Sequence, residues 1–227
     1  MTNQNQSKPD PEMIAQQLRK PTRPFAEKIA EKMEQVNAPL FDLTLETMQL
    51  ADSESVLEIG FGSGRFFEKI FSKAKGLQVS GIDYSQEMVK MAKSNNQRFI
   101  DSGKLNLELG NSDALPFADN SFDKVFCNMV VYFWDHPSRH LKEIQRVLKP
   151  QGRFYTGIRT KESMLQLPFT QYGFTLYDQN QWHSVLEQNG FIFIGVNKIA
   201  EPLVEEDEGP LRFESICLIA ERNKERF

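Results

Sequence analysis

The segment Val56-Leu57-Glu58-Ile59-Gly60-Phe61-Gly62-Ser63-Gly64 limits what this chain can fold into more than any other. A short, nearly continuous apolar run reads as a buried strand. It stops in three alternating glycines, after which Phe66, Phe67 and Ile70 recur at helical spacing. Glycines at such a junction permit positive φ and let a ligand approach bare backbone at a helix start. A strand, a tight glycine turn and a helix form the opening of a β-α unit, and a chain that repeats this unit has few architectures open to it.

The unit does repeat. Leu77–Ile82 supplies a second strand, and Met88, Met91 and Ala92 form one face of the helix after it, with Ser85 as N-cap and Glu87 in the first turn. Leu105-Asn106-Leu107-Glu108-Leu109 alternates strictly, as a half-exposed edge strand does. Val125-Phe126-Cys127 is continuous, like Val56-Leu57, and reads as central. A helix with Leu141, Ile144 and Leu148 is halted at Lys149-Pro150-Gln151-Gly152, before a fifth strand from Phe154 to Ile158. The succession predicts a parallel sheet with helices on both faces. Towards the C-terminus, a helix from Asp178 with Trp182, Val185 and Leu186 is closed by Asn189-Gly190. Two apolar runs follow, Phe191–Val196 and Ser215–Ala220, separated by Glu205–Gly209, which reads as a solvated acidic turn.

Residues 1 to about 23 are polar and punctuated by Pro9, Pro11, Pro21 and Pro24. They are too poor in apolar residues to fold alone, so residues 1–24 are expected to form a flexible or loosely docked arm. Phe25, Ile29, Met33 and Val36 share one helical face, and Phe41, Leu45 and Met48 share another beyond Pro39, which predicts two helices before the first strand. A chain of 227 residues, 40% hydrophobic and 26% charged, suits one globular domain, here residues 25–227. Its net charge of −4 offers no basic field for a phosphate backbone, which argues against a nucleic-acid partner. The N-terminus lacks the apolar core of a signal peptide, and no run approaches the ~20 apolar residues of a membrane span, so the expected location is the cytoplasm. Cys127 and Cys217 lie in apolar runs and read as reduced, buried thiols.

A dinucleotide fingerprint starting at Gly60 requires a glycine where this chain has Arg65. The spacing is G-x-G-x-G instead, with Glu58 two places ahead of it. Gly81-Ile82-Asp83-Tyr84-Ser85 ends the second strand in a carboxylate suited to a pair of hydroxyl donors. Gly110-Asn111-Ser112-Asp113-Ala114-Leu115-Pro116-Phe117 follows the third strand, Asn128 ends the fourth, and Arg146-Val147-Leu148-Lys149-Pro150 leads to the fifth. In this order, from Val56 to Arg153, the segments resemble the class I S-adenosylmethionine-dependent methyltransferases, in particular the small-molecule group that includes the quinone-biosynthesis enzymes. The resemblance implies a Rossmann-like α/β fold with a seven-stranded sheet, mostly parallel with the last strand antiparallel, and S-adenosylmethionine as cofactor. It implies that Glu58, Gly60, Phe61, Gly62 and Gly64 surround the methionine moiety, and that the Asn128 backbone carbonyl receives the methionine ammonium. Asp83 then serves the ribose and Tyr84 lies beside the adenine, with Ser112, Asp113 and Ala114 around it. In the family, the Asp113 position accepts from the adenine amino group and the next backbone N–H, that of Ala114, donates to the ring. Residues 25–52 become part of a lid, 53–160 the cofactor core, and 161–227 the acceptor-side loop and last strands.

Asn128-Met129-Val130-Val131 differs from the Asn-Pro-Pro-Tyr type found at this position in amide and nucleobase N-methyltransferases, which argues against DNA adenine or protein glutamine as acceptor. Tyr132, Phe133 and Trp134, and later Phe169, Tyr172, Phe174 and Tyr177, fall beyond strand carboxyl ends. They read either as core or as an apolar acceptor pocket, with Tyr132, Trp134, Tyr172 and Phe174 as candidates to touch a small apolar or aromatic acceptor. On this view the helices between Phe25 and Leu50 and the segment Leu165–Tyr177 wall the acceptor, and removing residues 1–24 spares cofactor affinity. His136 and His140 have metal-pair spacing but no third ligand, so no metal is expected. His136 is the candidate general base, Asp135 reads as a helix cap, and His183 as surface. Arg19, Lys20 and Arg23 read as solvated or as a lid over an anionic group of the acceptor. Two other functions stay open at this point: a nicotinamide oxidoreductase, disfavoured by Arg65 and Asp113, and a catalytically silent cofactor-binding module.

Overall fold

In the computed structural model, which describes residues 10–22, 24–206 and 209–223, the continuous apolar runs lie in the middle of one sheet. β1 (Ser55–Ile59) and β4 (Phe122–Asn128) are central, and Val56, Leu57, Val125 and Phe126 are fully buried. The order is β3-β2-β1-β4-β5-β9-β6, with β2 (Gln78–Asp83), β3 (Leu105–Leu109), β5 (Leu148–Arg159), β6 (Phe191–Ala200) and β9 (Glu214–Arg222). The first five strands pair in parallel. β9 is antiparallel to both β5 and β6, so the last strand of the chain sits one place in from the edge. β3 is the other edge, with Leu105 and Leu107 buried and Asn106 exposed, as its alternation predicts.

Helices cover both faces. On one side, α2 (Ala26–Met48), α3 (Phe67–Phe71) and α4 (Gln86–Asn95) pack Phe41, Phe67, Ile70 and Val89 against the sheet. On the other, α6 (Pro137–Val147) and α8 (Gln179–Gln188) pack Leu141, Ile144, Trp182 and Leu186. The remaining elements are α1 (Pro11–Arg19), α5 (Gln97–Asp101), α7 (Lys161–Met164), two short 3-10 helices (Val131–Phe133 and Pro168–Gln171) and a hairpin of β7 (Val204–Glu206) and β8 (Gly209–Leu211). Within the expected acidic turn, residues 206 and 209 pair in this hairpin; residues 207 and 208 lie outside the described residues. Cys127 and Cys217 are free and buried. Among the described residues, no helix is long and apolar enough to cross a membrane.

One expectation for the N-terminal region is corrected. Instead of two helices broken near Pro39, α2 runs through it. A proline inside a helix costs about 3 kcal/mol, and burial of Leu40, Phe41, Leu43, Leu45 and Met48 directly after it outweighs that cost. Arg159 Nη2 also donates to the Val36 carbonyl at 2.7 Å, beside the carbonyl that Pro39 deprives of its helical donor. The arm, in turn, is helical and docked from residue 10 onward. Asp10 caps α1, Pro11 starts it, and Ala15 is buried, yet the helix is too polar to stand alone. Tertiary hydrogen bonds hold it: Arg19 donates to Phe133 O at 3.3 Å and to Asp135 at 3.2 Å, the Tyr84 hydroxyl donates to Arg19 O, and Ser85 Oγ donates to Pro21 O at 3.2 Å. Asp135 is thus tied to α1 and does not cap α6, whose N-cap is His136. Residues 1–9 and Arg23 lie outside the described residues.

Candidate functional site

A cavity of about 370 Å³ opens at the carboxyl ends of β1, β2 and β4, where open α/β sheets place ligands. Its floor is Glu58 to Ser63, Asp83, Tyr84, Ser112, Asp113 and Asn128 to Val130. Its roof comes from the two N-terminal helices, with Leu18 and Arg19 from α1 and Met33, Glu34, Asn37 and Phe41 from α2.

The glycine loop is shaped by contacts that a side chain would break. Gly60 has φ +76°, and a Cβ there would lie 2.4 Å from Val130 Cγ2. Its N–H donates to Ile82 O at 2.8 Å, which ties β1 to β2 at the point where the chain turns. Gly64 stands apart: it is off the cavity, and a Cβ there would come within 2.8 Å of Ala92 Cβ and Asn96 Nδ2. The third glycine therefore serves close packing on α4, between Ser63 and Arg65, which line the cavity. Asn96 Nδ2 donates to Gly64 O at 2.9 Å and Asn95 Nδ2 to Ser63 O at 3.0 Å. From the other side, the Ser63 hydroxyl donates to Glu34, and Arg65 Nε lies 3.3 Å from the same carboxylate.

Two buried carboxylates face this loop. Asp83 accepts the Gly62 N–H at 3.0 Å and the Ser85 N–H at 2.8 Å, one on each oxygen. Burial lifts its pKa to about 6 against those two hydrogen bonds, which favour the charged form. Glu58 is pushed up to about 8, first by burial and then by the charge of Asp83. Such a pair is stabilised by a cationic group or by hydroxyl donors placed between them and the roof. Asn128 also lines the cavity; its Oδ1 lies 2.7 Å from Thr44 Oγ1, and its buried Nδ2 has no hydrogen-bond partner.

The remaining candidates divide. Phe61, Tyr84, Ser112, Asp113, Trp134 and His136 line the cavity. Ala114 does not, and its N–H already donates to Asn111 O at 3.1 Å, so it is not free for a ring. Tyr132 is off the cavity and 1% exposed, its hydroxyl donating to Arg159 O at 2.7 Å. Phe174 packs on Phe133 at 4.7 Å and Phe169 at 5.8 Å, and Tyr172 is exposed at the surface; neither reaches the cavity. The aromatic segment after β5 thus buttresses Phe133, which does line the cavity, rather than walling it. His183 stacks on Phe193 at 4.1 Å. Sequence reasoning missed Glu34, Asn37 and Arg139 and treated His140 only as a metal-spacing partner; all four line the cavity through tertiary contacts that no local spacing encodes. Among the described residues, no group of three potential ligands could hold a metal ion.

Comparison with known proteins agrees with this geometry. Residues 57–156 match the profile of the family described as Methyltransferase domain. The chain is 30% identical over 129 residues to YrhH of Bacillus subtilis (strain 168), which carries the name of a methyltransferase, covering 57% of this chain and 71% of that one. It is 30% identical over 110 residues to the ubiquinone/menaquinone biosynthesis C-methyltransferase UbiE of Geotalea daltonii, covering 48% of this chain and 47%, about half, of that relative. Its fold matches a chain from the complex of the Haloferax volcanii Trm112 methyltransferase activator with a methyltransferase, with TM-score 0.74, 22% identity, and coverage of 86% of this chain and 95% of that one. It also matches the YcgJ protein of Bacillus subtilis, with TM-score 0.67, 18% identity, and coverage of 82% and 99%. The nicotinamide reading falls away, and the chain belongs to the class I S-adenosylmethionine-dependent methyltransferases.

Proposed function

We propose that the enzyme methylates a small, apolar or aromatic acceptor seated beneath α1 and α2. The observation that carries this reading is the two-sided lining of the cavity: buried carboxylates and bare glycine backbone on the strand side, and Leu18, Met33, Phe41 and Phe133 on the roof side. S-adenosylmethionine supplies a methyl group already activated on a sulfonium, so the protein has to orient and to exclude water more than to activate. The residues present fit this cofactor. Asp83, fixed by two main-chain donors, keeps acceptor capacity on both oxygens for the ribose hydroxyls. Glu58, Gly60, Phe61, Gly62 and the Asn128 main chain hold the cationic methionine end, and Ser112 and Asp113 lie at the base end with Tyr84.

His136 serves as the base where the acceptor arrives protonated, since it lines the same cavity at the start of α6. A roofed cavity of this size favours a compact molecule over a polymer. The test is release of S-adenosylhomocysteine from S-adenosylmethionine in the presence of neutral phenols and hydroquinones, short carboxylic acids, peptides and oligonucleotides. Turnover with the flat neutral set is expected. Turnover confined to peptides or oligonucleotides would overturn the acceptor class.

A further inference from the structure

Ser112, in the turn after β3, and His140, on α6, meet in the cavity wall with Ser112 Oγ 2.8 Å from His140 Nδ1. The two residues are 4% and 6% exposed. The imidazole lies flat on Trp134, with 4.5 Å between ring centres and 3° between planes, and Trp134 packs in turn on Trp182 at 6.0 Å. This stack fixes the plane of the ring and so the direction in which Nδ1 meets the serine. Burial pulls the His140 pKa to about 4 from its ordinary 6.5, although Asp113 and Asp135 act in the opposite direction, so the ring is neutral at physiological pH. A neutral imidazole has one N–H and one lone pair. The serine hydroxyl therefore either gives its proton to Nδ1 and offers lone pairs to the cavity, or accepts from Nδ1 and offers its proton. A buried polar pair costs desolvation that an aliphatic pair would avoid, and packing alone does not account for it.

We infer that His140 is a positioning residue that, through Ser112, fixes a hydroxyl of single polarity against the ring edge of the cofactor's adenine. The inference rests on the cofactor placement proposed above. It is tested by calorimetric titration of S-adenosylhomocysteine into the whole protein and its variants, with melting temperatures recorded in parallel. Ser112→Ala and His140→Phe, which keeps a flat ring on Trp134, should each weaken binding about tenfold with the melting temperature little changed. The double variant should lose no more than either single one, because both remove the same interaction. His140→Asn, which restores a polar atom near the Nδ1 position, should recover most of the loss. In the parent, the His140 ring nitrogen resonances should move when S-adenosylhomocysteine is added. Parent-like affinity in Ser112→Ala, losses that multiply in the double variant, or unmoved His140 resonances would each overturn the inference; Ser112→Ala and the resonances decide it even if a His140 variant fails to fold. Asp83→Ala separates the two levels. If it too bound like the parent, the cofactor placement itself would fail, whereas an Asp83 loss without a Ser112 loss would remove only the role of this pair.

Discussion

At the strand edge, the Gly60 N–H is tied to the β2 main chain and the Asp83 carboxylate is held by the main-chain N–H groups of Gly62 and Ser85, whereas the roof above them is fastened by side chains. Arg19 reaches Phe133 O and Asp135, and Glu34 receives the Ser63 hydroxyl beside Arg65. The Arg19–Asp135 pair has side chains 41% and 78% exposed, a setting in which an ion pair is worth at most about 1 kcal/mol. The edge is therefore set when the sheet forms, and the α1 part of the roof is closed by contacts weak enough to be remade. A methyltransferase needs both, because its cofactor must be held rigidly and its product must leave.

This contrast ranks the expected effects of change. The largest belongs to the edge: Asp83→Ala should weaken cofactor binding by about 2–4 kcal/mol, read by calorimetry, with cooperative unfolding retained. Parent-like affinity would reduce Asp83 to a helix-entry residue and erase the distinction between edge and roof. Phe174→Ala should cost about 2 kcal/mol in denaturant unfolding, since it removes a partly buried ring from beneath Phe133, while cofactor affinity stays within about threefold. A loss of turnover at unchanged stability would return Phe174 to the acceptor wall.

Removing residues 1–24 should weaken cofactor binding by about tenfold, because Leu18, Arg19 and Pro21 line the cavity and the carbonyls of Arg19 and Pro21 accept from Tyr84 and Ser85. The sequence alone predicts no loss, so this truncation sets the docked helix against the free arm. Protonation acts on the edge itself. Glu58 and Asp83 have folded pKa values of about 8 and about 6, above their ordinary 4.5 and 3.8, so the folded protein without cofactor retains protons that the unfolded chain has lost. Its stability should fall as pH rises from about 4 through 8, read as a falling melting temperature. Glu58→Gln should flatten most of that slope, and a slope of opposite sign would show the pair to be stabilised as charged groups.

Much of the edge was legible in the sequence because it is local: a strand, a glycine turn and a strand-end acid are encoded in consecutive residues, and so is the Asp178–Gln181 capping box that opens α8. Gly64 and Ala114 lie off the cavity; a motif fixes backbone course, not which side of it faces the cavity. The roof was hidden for a different reason. α1 is only nine residues long, and its position depends on hydroxyls more than sixty residues away, at Tyr84 and Ser85. Continuity through Pro39 was equally non-local, since it depends on burial against the sheet and on Arg159. The aromatics of Tyr132 and Phe174 have the same composition whether they line a pocket or support one, and only packing distinguishes the two.

The most direct test of the division between a cofactor edge and an acceptor roof is a crystal structure of the protein with S-adenosylhomocysteine bound. The ribose hydroxyls are expected on Asp83, the base at Ser112 and Asp113, the amino-acid end at Glu58 and Gly60, and open volume left beneath Met33, Phe41 and Phe133. A ligand seated against Met33 and Phe133, with Asp83 still bonded only to Gly62 and Ser85, would contradict that division.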